Sequence, residues 1–432
     1  MNFDEAVQYL LGLGHETLTI KLGLRNTELL LQALDNPERA FLSVQIAGTN
    51  GKGSTAAMLD SICRAAGINT GLYTSPHLVS ITERIRLDNA DISPEDFARY
   101  ATTVRTAAET LLNDKQIEAL PTFFEQVTAI ALLAFREASV EVAILETGLG
   151  GRLDSTTAAN AAIVGITPIA MDHEDYLGDT LTSIAREKAA VIRPGVTAVI
   201  AEQPPEALAV LLERCAAVGV QPSLDPGRDF YKNFSLNLRG AHQIQNASVA
   251  IRLAESLRQH GFTITADQIG FGLANTHHPA RLELIPPFLL DGAHNPAGAA
   301  ALRDYLKESN YPWLTFVFAA MSDKKLDQIA AILFPLAGCL VLTTVDNPRA
   351  APLGLLSPLA RRFARGAIFE TTSSSEAIHT AITQTPPEGL ICVTGSLYLL
   401  GETRPLILKL AEKHDDHSTS RTTEDDQQPE GF

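Results

Sequence analysis

A glycine-rich segment near residue 50 has the composition of a phosphate-binding loop. Residues 47–54 read Ala-Gly-Thr-Asn-Gly-Lys-Gly-Ser and directly follow the apolar run Phe41-Leu42-Ser43-Val44-Gln45-Ile46. Apolar residues then recur at helical spacing from Ser54 to Ala66, so the segment joins a predicted strand to a predicted helix. Backbone N–H groups in such a turn bind anions together with the helix dipole, and Lys52 adds a positive charge for phosphate groups.

The loop departs from the strict Walker pattern in two places. Ile46 stands where that pattern has glycine, and Gly53 separates Lys52 from the hydroxyl of Ser54. A glycine-rich turn by itself is equally consistent with a plain connector between a strand and a helix. The lysine and the strand–loop–helix context favour nucleotide binding.

Two further polar residues follow predicted strands. Glu146 comes after the apolar run 140–145 and opens the glycine-rich run 147–154. A carboxylate at a strand end near a phosphate loop suits Mg²⁺, although an isolated glutamate is also consistent with an exposed acid that starts a turn. His173 follows the strand predicted at 161–166 and is either a ligand or a structural hydrogen-bonding group.

Lys188 and Asp291 lie on later elements. Lys188 falls on a helix predicted from Thr180 to Val191, where a lysine on its own is most simply a solvated helix residue. Asp291 ends a predicted strand just before a helix, with Asn295 as candidate N-cap and Pro296 at the first helical position. Asp291 and Asn295 are alternatively only turn and cap residues.

Composition excludes several classes of protein. The chain has 432 residues, of which 45% are hydrophobic and 19% are charged, and no apolar run approaches the roughly 20 residues that span a bilayer. The first residues lack the pattern of a signal peptide, and four scattered cysteines suit a reducing cytosol, so we expect a cytoplasmic protein without a membrane partner. The net charge of −16 argues against a nucleic-acid partner.

Strands and helices alternate along the chain, which predicts an α/β fold. We expect a P-loop ATPase domain with a mostly parallel sheet at residues 1–280, a linker at 281–288 rich in proline, and a smaller C-terminal α/β, Rossmann-like domain at 289–410. Residues 411–432 hold seven acidic and two basic side chains and are predicted to be a disordered tail. Ligands of such sheets bind beyond the carboxyl ends of the strands, where the polar motifs fall.

The motifs together resemble those of folylpolyglutamate synthases, including the bacterial forms that also act as dihydrofolate synthases, and more distantly the muramyl-peptide ligases of the same ATP-dependent superfamily. The resemblance runs from about Leu18 to Glu402. It rests on six segments in order: Ala-Gly-Thr-Asn-Gly-Lys-Gly-Ser at 47–54, Thr-Ser-Pro-His-Leu at 74–78, Glu-Thr-Gly-Leu-Gly-Gly-Arg-Leu-Asp at 146–154, His-Gln-Ile-Gln-Asn-Ala at 242–247, Leu-Asp-Gly-Ala-His-Asn-Pro at 290–296 and Thr-Gly-Ser-Leu-Tyr-Leu at 394–399.

The resemblance implies a role for each matching residue. It implies two Mg²⁺ ions, one held by Ser75 and Glu146 and the second by His173, and it makes Lys188 similar to a lysine that this family carbamylates. Residues matching ATP-binding positions are Thr49, Asn50, Gly51, Lys52, Gly53, Asn246, Arg281 and Asp291, with His294 nearby and Ser54 a candidate from phosphate-loop chemistry alone. Residues matching folate positions are Thr19, Ile20, Lys21, Leu22, Phe124, Leu153, Asp154 and Ser155.

Two segments depart from the family pattern. His278-Pro279-Ala280-Arg281 stands where the family often has Trp-Pro-Gly-Arg, so the predicted hinge keeps the arginine but differs in aromatic packing and in backbone geometry. Ala190 stands where the family usually has glycine, and alanine suits a helix better than glycine does.

The implied reaction is ATP-dependent ligation of L-glutamate to dihydropteroate, to the γ-carboxyl group of reduced folylpolyglutamates, or to both, through an acyl phosphate. The expected cofactors are ATP and Mg²⁺, the expected partners are these small molecules, and we expect a monomer. The alternatives are a muramyl-peptide-type amide ligase, which Lys52-Gly53-Ser54 disfavours because those enzymes usually place threonine directly after the lysine, and a non-catalytic ATP-binding switch.

Overall fold

The chain forms two compact α/β units, Met1–His278 and Pro279–Phe432. The computed structural model describes residues 1–14, 23–224 and 234–421, and it describes side chains as far as residue 412. The break between the units falls beside Pro279. Within the described residues, no helix combines the length and the apolar character needed to cross a bilayer.

The first unit is built on an eight-stranded sheet with the order β4-β3-β2-β5-β1-β6-β7-β8. Its strands are β1 (Leu42–Ala47), β2 (Thr70–Tyr73), β3 (Ile85–Leu87), β4 (Ala90–Asp91), β5 (Val142–Glu146), β6 (Ile163–Ile166), β7 (Thr197–Ile200) and β8 (Ser223–Leu224). Only β3 and β4 run antiparallel to their neighbours. The central strands are buried on both faces, as expected for a parallel sheet covered by helices.

Helices cover both faces of this sheet. They are α1 (Phe3–Gly12), α2 (Arg25–Ala33), α3 (Lys52–Ala65), α4 (Pro94–Asn113), α5 (Phe123–Glu137), α6 (Glu174–Leu177), α7 (Leu181–Ala189), α8 (Pro205–Ala217), α9 (His242–Leu257) and α10 (Ala266–Ala274). One core joins α1, α2, α4 and α5 around residues such as Phe97 and Phe135, and another joins α3, α9 and α10 around Ile62 and Leu253. Helices α7 and α8 share a third core.

The second unit carries a six-stranded sheet with the order β13-β12-β11-β14-β10-β9. Its strands are β9 (Glu283–Ile285), β10 (Phe288–Asp291), β11 (Leu314–Phe318), β12 (Cys339–Leu342), β13 (Ala367–Glu370) and β14 (Leu390–Thr394). Its helices are α11 (Pro296–Ser309), α12 (Leu326–Leu333), α13 (Leu353–Phe363), α14 (Ser374–Gln384) and α15 (Leu397–Arg421). The α/β architecture of both units confirms the predicted fold class.

The segment predicted as a linker is part of the second unit. Residues 281–288 contain β9, which pairs antiparallel with β10 through Leu284 and Leu289. Arg404 on α15 further fixes this strand, because its guanidinium binds the Glu283 carboxylate at 2.7–3.1 Å. The linker prediction is wrong here because prolines are tolerated at the ends and edges of a sheet.

The acidic tail also differs from its prediction. Helix α15 continues to Arg421, so residues 411–421 are helical, whereas the sequence predicted disorder from residue 411; residues 422–432 lie outside the described part of the chain. Adding a residue to an existing helix fixes far less chain per hydrogen bond than starting a new helix. The packed start of α15 therefore allows a polar sequence to stay helical.

The packing of α10 on α3 depends on a glycine, which gives a stability prediction. A Cβ built on Gly272 would lie 2.6 Å from Ile62 Cα and 2.9 Å from the Ser61 carbonyl carbon, both backbone atoms of α3. We expect Gly272→Ala to lower the free energy of unfolding by about 1–3 kcal/mol through overpacking, as measured by urea denaturation.

Gly270→Ala on the same helix is the matched control. Among the described residues, a Cβ there meets only the Phe234 ring at 3.6 Å, which is ordinary contact, and alanine stabilises a helix by up to about 1 kcal/mol relative to glycine. Equal stability of Gly272→Ala and the wild type would contradict the importance of this contact.

Candidate active site

Parallel strand pairing brings three predicted segments to one edge of the first sheet. Strand β1 pairs with β5 so that Ile46 faces Glu146, and on its other side Ala47 faces Ile166 of β6. Glu146 therefore lies at the carboxyl end of β5, beside the points where the glycine-rich loop leaves β1 and the next segment leaves β6.

Two glycines give the loop its shape. Gly48 and Gly51 have φ angles of 148° and 85°, which favour glycine. A Cβ on Gly48 would collide with the Thr167 hydroxyl, and one on Gly51 would collide with the Asn246 amide. The loop is therefore held closely between β6 and α9, and helix α3 begins at Lys52.

The backbone N–H groups of Thr49 and Asn50 form hydrogen bonds within the protein. Both N–H groups donate to the Pro168 carbonyl, at 3.0 and 3.2 Å, and the Thr49 hydroxyl donates to Ala170 O at 3.1 Å. These two N–H groups are directed to protein rather than to an anion. The Lys52 ammonium bends back over the loop and donates to Thr49 O at 3.2 Å.

Asn246 and Ser54 are connected through a residue to which the sequence assigned no role. Gln243 on α9 donates from Nε2 to Ser54 Oγ at 3.4 Å and accepts from Asn246 Nδ2 at 2.8 Å. All three side chains are buried. The structure thus brings Ser54 and Asn246, both predicted ATP contacts, to one hydrogen-bonded group.

Glu146 is buried beside the loop. Its side chain is 5% exposed, which excludes an exposed turn residue, and its Oε2 accepts from the Ser75 backbone N–H at 3.1 Å. A Cβ built on Gly53 would lie 3.3 Å from the same Oε2 and 2.7 Å from His278 Nε2. Gly53 therefore allows the start of α3 to approach both Glu146 and His278, a residue that the sequence placed only in a hinge.

Lys188 is likewise buried rather than solvated. It is 5% exposed, and its ammonium donates to Gly48 O at 2.7 Å across the base of the phosphate loop. The pKa of Lys188 is lowered to about 7, mainly by burial and also by the positive charge of Lys52, while Asp172 and Asp154 oppose this shift. The amine is consequently partly neutral near pH 7.

His173 occupies a constrained position between β6 and α6. Its φ angle is 53°, in the left-handed region, and its N–H donates to Asp172 Oδ1 at 2.9 Å. Asp172, which is electrostatically coupled to Lys188, was not a predicted site residue. The available signal in the sequence was an acid directly before the candidate ligand His173.

Two of the predicted folate residues that the structure describes lie next to helix α5 or on it, namely Ser155 and Phe124. A Cβ on Gly148 would lie 2.5 Å from the Phe124 ring, and that ring packs against Tyr73 with centroids 6.0 Å apart. Ser155 Oγ lies 2.6 Å from the Thr128 hydroxyl on the same helix as Phe124. Thr19, Ile20, Lys21 and Leu22 lie outside the described residues.

Asp154 is a structural anchor for the glycine-rich segment. Its carboxylate accepts from Leu149 N–H at 2.9 Å, and from the Thr156 N–H and hydroxyl at 3.0 and 2.5 Å. Burial raises the pKa of Asp154, and these hydrogen bonds oppose the shift. Both carboxylate oxygens bind protein, so Asp154 shapes the segment that presents Leu153 and Ser155.

Gly151 packs the same segment against the helix that carries Lys188. A Cβ on Gly151 would lie 2.9 Å from Glu187 O and 3.2 Å from Lys188 O, and the neighbouring Arg152 N–H donates to Glu187 O at 3.0 Å. The glycine here serves a close approach of backbone to backbone rather than the binding of phosphate.

The second unit groups its three predicted residues around the end of β10. Asp291 accepts from Leu282 N–H and Ala293 N–H at 3.0 Å each, and His294 Nδ1 lies 2.7 Å from Gly292 O. The Arg281 guanidinium lies against Gly292, since a Cβ there would be 2.9 Å from its Nη1. The structure therefore brings Arg281, Asp291 and His294 together.

The cap and hinge residues of this unit can also be placed. Asn295 is the N-cap of α11 and accepts from Gly298 N–H at 2.8 Å. Ala280 is fully buried with a φ angle of 59°, a conformation that costs an alanine about 1–2 kcal/mol and that glycine adopts freely. Hydrogen bonds to Glu283 and Gly292 hold it there.

The oxygen donors of the first unit fit a hard divalent cation. Glu146 provides a buried carboxylate beside Ser75, and Mg²⁺ uses few protein oxygens together with phosphate and water. Among the described residues, no three His, Cys, Asp or Glu side chains form a ready-made metal site. This donor set suits an ion that arrives with a nucleotide.

Comparison with known proteins identifies the family. The model of the Mur ligase, glutamate ligase domain matches residues 280–397. A protein of Mycobacterium tuberculosis named dihydrofolate synthase/folylpolyglutamate synthase is 36% identical over 87% of this chain and 85% of its own length. The chain belongs to the dihydrofolate synthase/folylpolyglutamate synthase family. A Bacillus subtilis protein of the same name is 33% identical over 89% of this chain and 95% of its length.

Some relatives of this family are longer. The chain spans 50% of the length of a Haloferax volcanii protein named probable bifunctional folylpolyglutamate synthase/dihydropteroate synthase, to which it is 33% identical.

Solved structures of this family share the fold. The Mycobacterium tuberculosis folylpolyglutamate synthase complexed with ADP superposes with a TM-score of 0.87 at 31% identity, covering 94% of this chain and 99% of that one. An Escherichia coli protein, FolC, in complex with DHPP and ADP, gives a TM-score of 0.83 at 27% identity, covering 94% and 98%. A Yersinia pestis family member complexed with AMPPNP and a Mn ion gives 0.81 at 26%, covering 94% and 98%.

The low pKa of Lys188 predicts a specific dependence of stability on pH. Between the folded pKa of about 7 and the ordinary lysine pKa of 10.5, the unfolded chain holds the additional proton, so folding is increasingly favoured as pH rises. The free energy of unfolding of the wild type, relative to Lys188→Met, should therefore rise from pH 7 to pH 10 by up to about 1.4 kcal/mol per unit.

Urea denaturation in buffers free of CO₂ measures this difference. Lys307→Met, which removes an exposed lysine from α11, is the control and should lack the slope, because that side chain is solvated in both states. A difference between wild type and Lys188→Met that does not change with pH would contradict the buried, partly neutral amine.

Proposed function

We propose that the chain is an ATP-dependent ligase that joins L-glutamate to dihydropteroate, to the γ-carboxyl group of reduced folylpolyglutamates, or to both. ADP and phosphate are the other products. The observation that carries this proposal is the convergence of the phosphate loop, Glu146 and Lys188 at one sheet edge, in a chain that covers most of the length of relatives with these names.

The chemistry needs an activated carboxyl group, because a free carboxylate is a poor electrophile. A carboxylate oxygen of the folate attacks the γ-phosphorus of ATP, the bond from that phosphorus to the β–γ bridging oxygen breaks, and ADP leaves. The glutamate amine then attacks the acyl carbon of the resulting acyl phosphate, loses a proton and expels phosphate. Such phosphoryl transfer is catalysed mainly by positioning and by stabilisation of negative charge.

The residues of the first unit match these needs. The loop at 48–53 and the Lys52 ammonium stabilise the triphosphate, while Gln243 orients Ser54 and Asn246 beside it. Glu146 and Ser75 would hold one Mg²⁺ and His173 a second, and these ions would neutralise the phosphate oxygens during transfer. Phe124 and Ser155 would contact the pterin end of the folate. The Yersinia pestis and Mycobacterium tuberculosis complexes support nucleotide and divalent-metal use.

The buried environment of Lys188 also supports carbamylation of its amine. Only a neutral amine adds to CO₂, and burial beside Lys52 makes the Lys188 amine partly neutral near pH 7. The nitrogen of the neutral amine forms a bond to the carbon of CO₂ and loses one proton, which leaves a carbamate anion whose oxygens resemble a carboxylate ligand. The modified side chain would then favour a metal ion at the position where the unmodified ammonium repels one.

In the second unit, Asp291, Arg281 and His294 would contact the nucleotide. Asp291 is fixed by two backbone N–H groups, so its orientation does not depend on the ligand. The muramyl-peptide alternative is not favoured by the relatives. The non-catalytic switch predicts that Glu146, His173 and Lys188 can each be replaced while the nucleotide still binds.

Phosphate release tests the proposed reaction directly. Purified protein is incubated with MgATP and L-glutamate and with either dihydropteroate or tetrahydrofolate, and product masses are determined in parallel. We expect acceptor-dependent release with a mass gain of one glutamate per acceptor. Turnover with one acceptor would assign a single activity, whereas ATP binding without acceptor-dependent release would contradict the ligase proposal.

Replacement of Lys188 tests the proposed metal ligand. Lys188→Ala should lower kcat by about 10²- to 10³-fold, because a group that stabilises transition-state charge is lost. Added acetate should restore part of the rate by supplying a carboxylate at the vacated position. Arg186→Ala, an exposed change on the same helix, is the control and should retain wild-type kcat. Full activity of Lys188→Ala would exclude the assigned role.

A further inference from the structure

A buried glutamine on β1 connects the strand of the phosphate loop to the segment after Glu146. The Gln45 side chain is fully buried, and its Nε2 donates to Thr156 Oγ1 at 2.9 Å and to Thr157 Oγ1 at 2.8 Å. Thr147 Oγ1 lies somewhat farther away, at 3.4 Å. Gln45 is three residues before Gly48, so it lies at the base of the loop.

The acceptors of the two threonine hydroxyls fix the direction of these hydrogen bonds. The Thr156 hydroxyl donates to Asp154 Oδ1 at 2.5 Å, and the Thr157 hydroxyl donates to Gly151 O at 2.7 Å. Each hydroxyl has one hydrogen, which is used in that contact. Both must therefore accept from Gln45, whose amide NH₂ offers one hydrogen to each of the two acceptors.

The two hydrogen-bonded chains end at the residues that shape the segment 148–157. Asp154 holds Leu149 and Thr156, and the carbonyl of Gly151 belongs to the turn that packs on the backbone of Glu187 and Lys188. The same segment contains Leu153 and Ser155, the residues assigned above to the folate. Gln45 lies on the strand that leads into the phosphate loop, and its hydrogen bonds thus connect that strand to the segment assigned to the folate acceptor.

We propose that Gln45 is a positioning residue for the acceptor. Through Thr156 and Thr157 it fixes the segment 148–157 against β1, and so it sets the distance between the bound folate carboxylate and the phosphate loop. The inference rests on the proposed function for its kinetic consequence. Its structural part, the ordering of residues 148–157, does not.

Gln45→Leu tests this role with little change in volume. The variant loses both donors, and it also removes Gln45 Oε1, a buried acceptor with no hydrogen-bond partner within the described residues. We expect KM for the folate acceptor to rise about tenfold and KM for ATP to change less than about twofold, because Gln45 orients the segment assigned to the folate and does not contact the nucleotide itself. Thr157→Val removes one connecting hydroxyl at constant shape and should also raise KM for the folate acceptor.

Ser43→Ala is the matched control. Ser43 lies two residues earlier on the same face of β1, is buried, and its hydroxyl has no hydrogen-bond partner in the part of the chain that the structure describes. Both KM values should stay within about twofold of the wild type, since no hydrogen bond is lost.

Hydrogen–deuterium exchange of the peptide that covers residues 148–157 provides a readout independent of activity. Amide exchange there should become about fivefold to tenfold faster in Gln45→Leu and in Thr157→Val, and should be unchanged in Ser43→Ala. Wild-type exchange rates in both variants, or an equal rise in both KM values, would overturn the proposal. If the wild type turns over neither acceptor, the ligase proposal fails, and exchange alone decides whether Gln45 orders the segment.

Discussion

The parallel pairing of β1 with β5 and β6 is the constraint on which the site depends. Residue Ile46 pairs with Glu146, and Ala47 pairs with Ile166, so segments about 100 residues apart in the sequence leave the sheet side by side. A shift of register by one residue would turn the Glu146 side chain to the other face of the sheet. The buried apolar side chains of these strands, which belong to the cores on both faces, prevent such a shift.

Close packing at this edge is achieved with glycines rather than with large side chains. Gly48, Gly51 and Gly53 bring the loop against Thr167, Asn246 and Glu146, and Gly151 brings a neighbouring turn against α7. The buried Lys188 ammonium then reaches Gly48 O. Its desolvation is the energetic consequence of this packing, and an amine that readily loses its proton is the chemical consequence.

Much of this arrangement could be predicted from the sequence, because strand and helix periodicity is local. The sequence patterns that predict the phosphate loop, the strand that ends at Glu146 and the cap at Asn295 each lie within about ten residues of the feature itself. The roles of Gln45, Gln243 and Asp172 were missed, since their partners lie far away along the chain or on another element. The linker prediction failed for a related reason: β9 becomes a strand only by pairing with β10 and binding Arg404.

The edges of the larger sheet have a consequence for association between copies of the chain. Within the residues that the structure describes, the two outermost strands, β4 and β8, contain two residues each, and β4 ends in an exposed aspartate. A long, flat edge presents a row of unpaired N–H and C=O groups on which another chain can add a strand. Two-residue edges offer almost no such row, and a charge at one of them makes an apolar strand a poor partner. The described part of this sheet is thereby protected against growth into an intermolecular sheet.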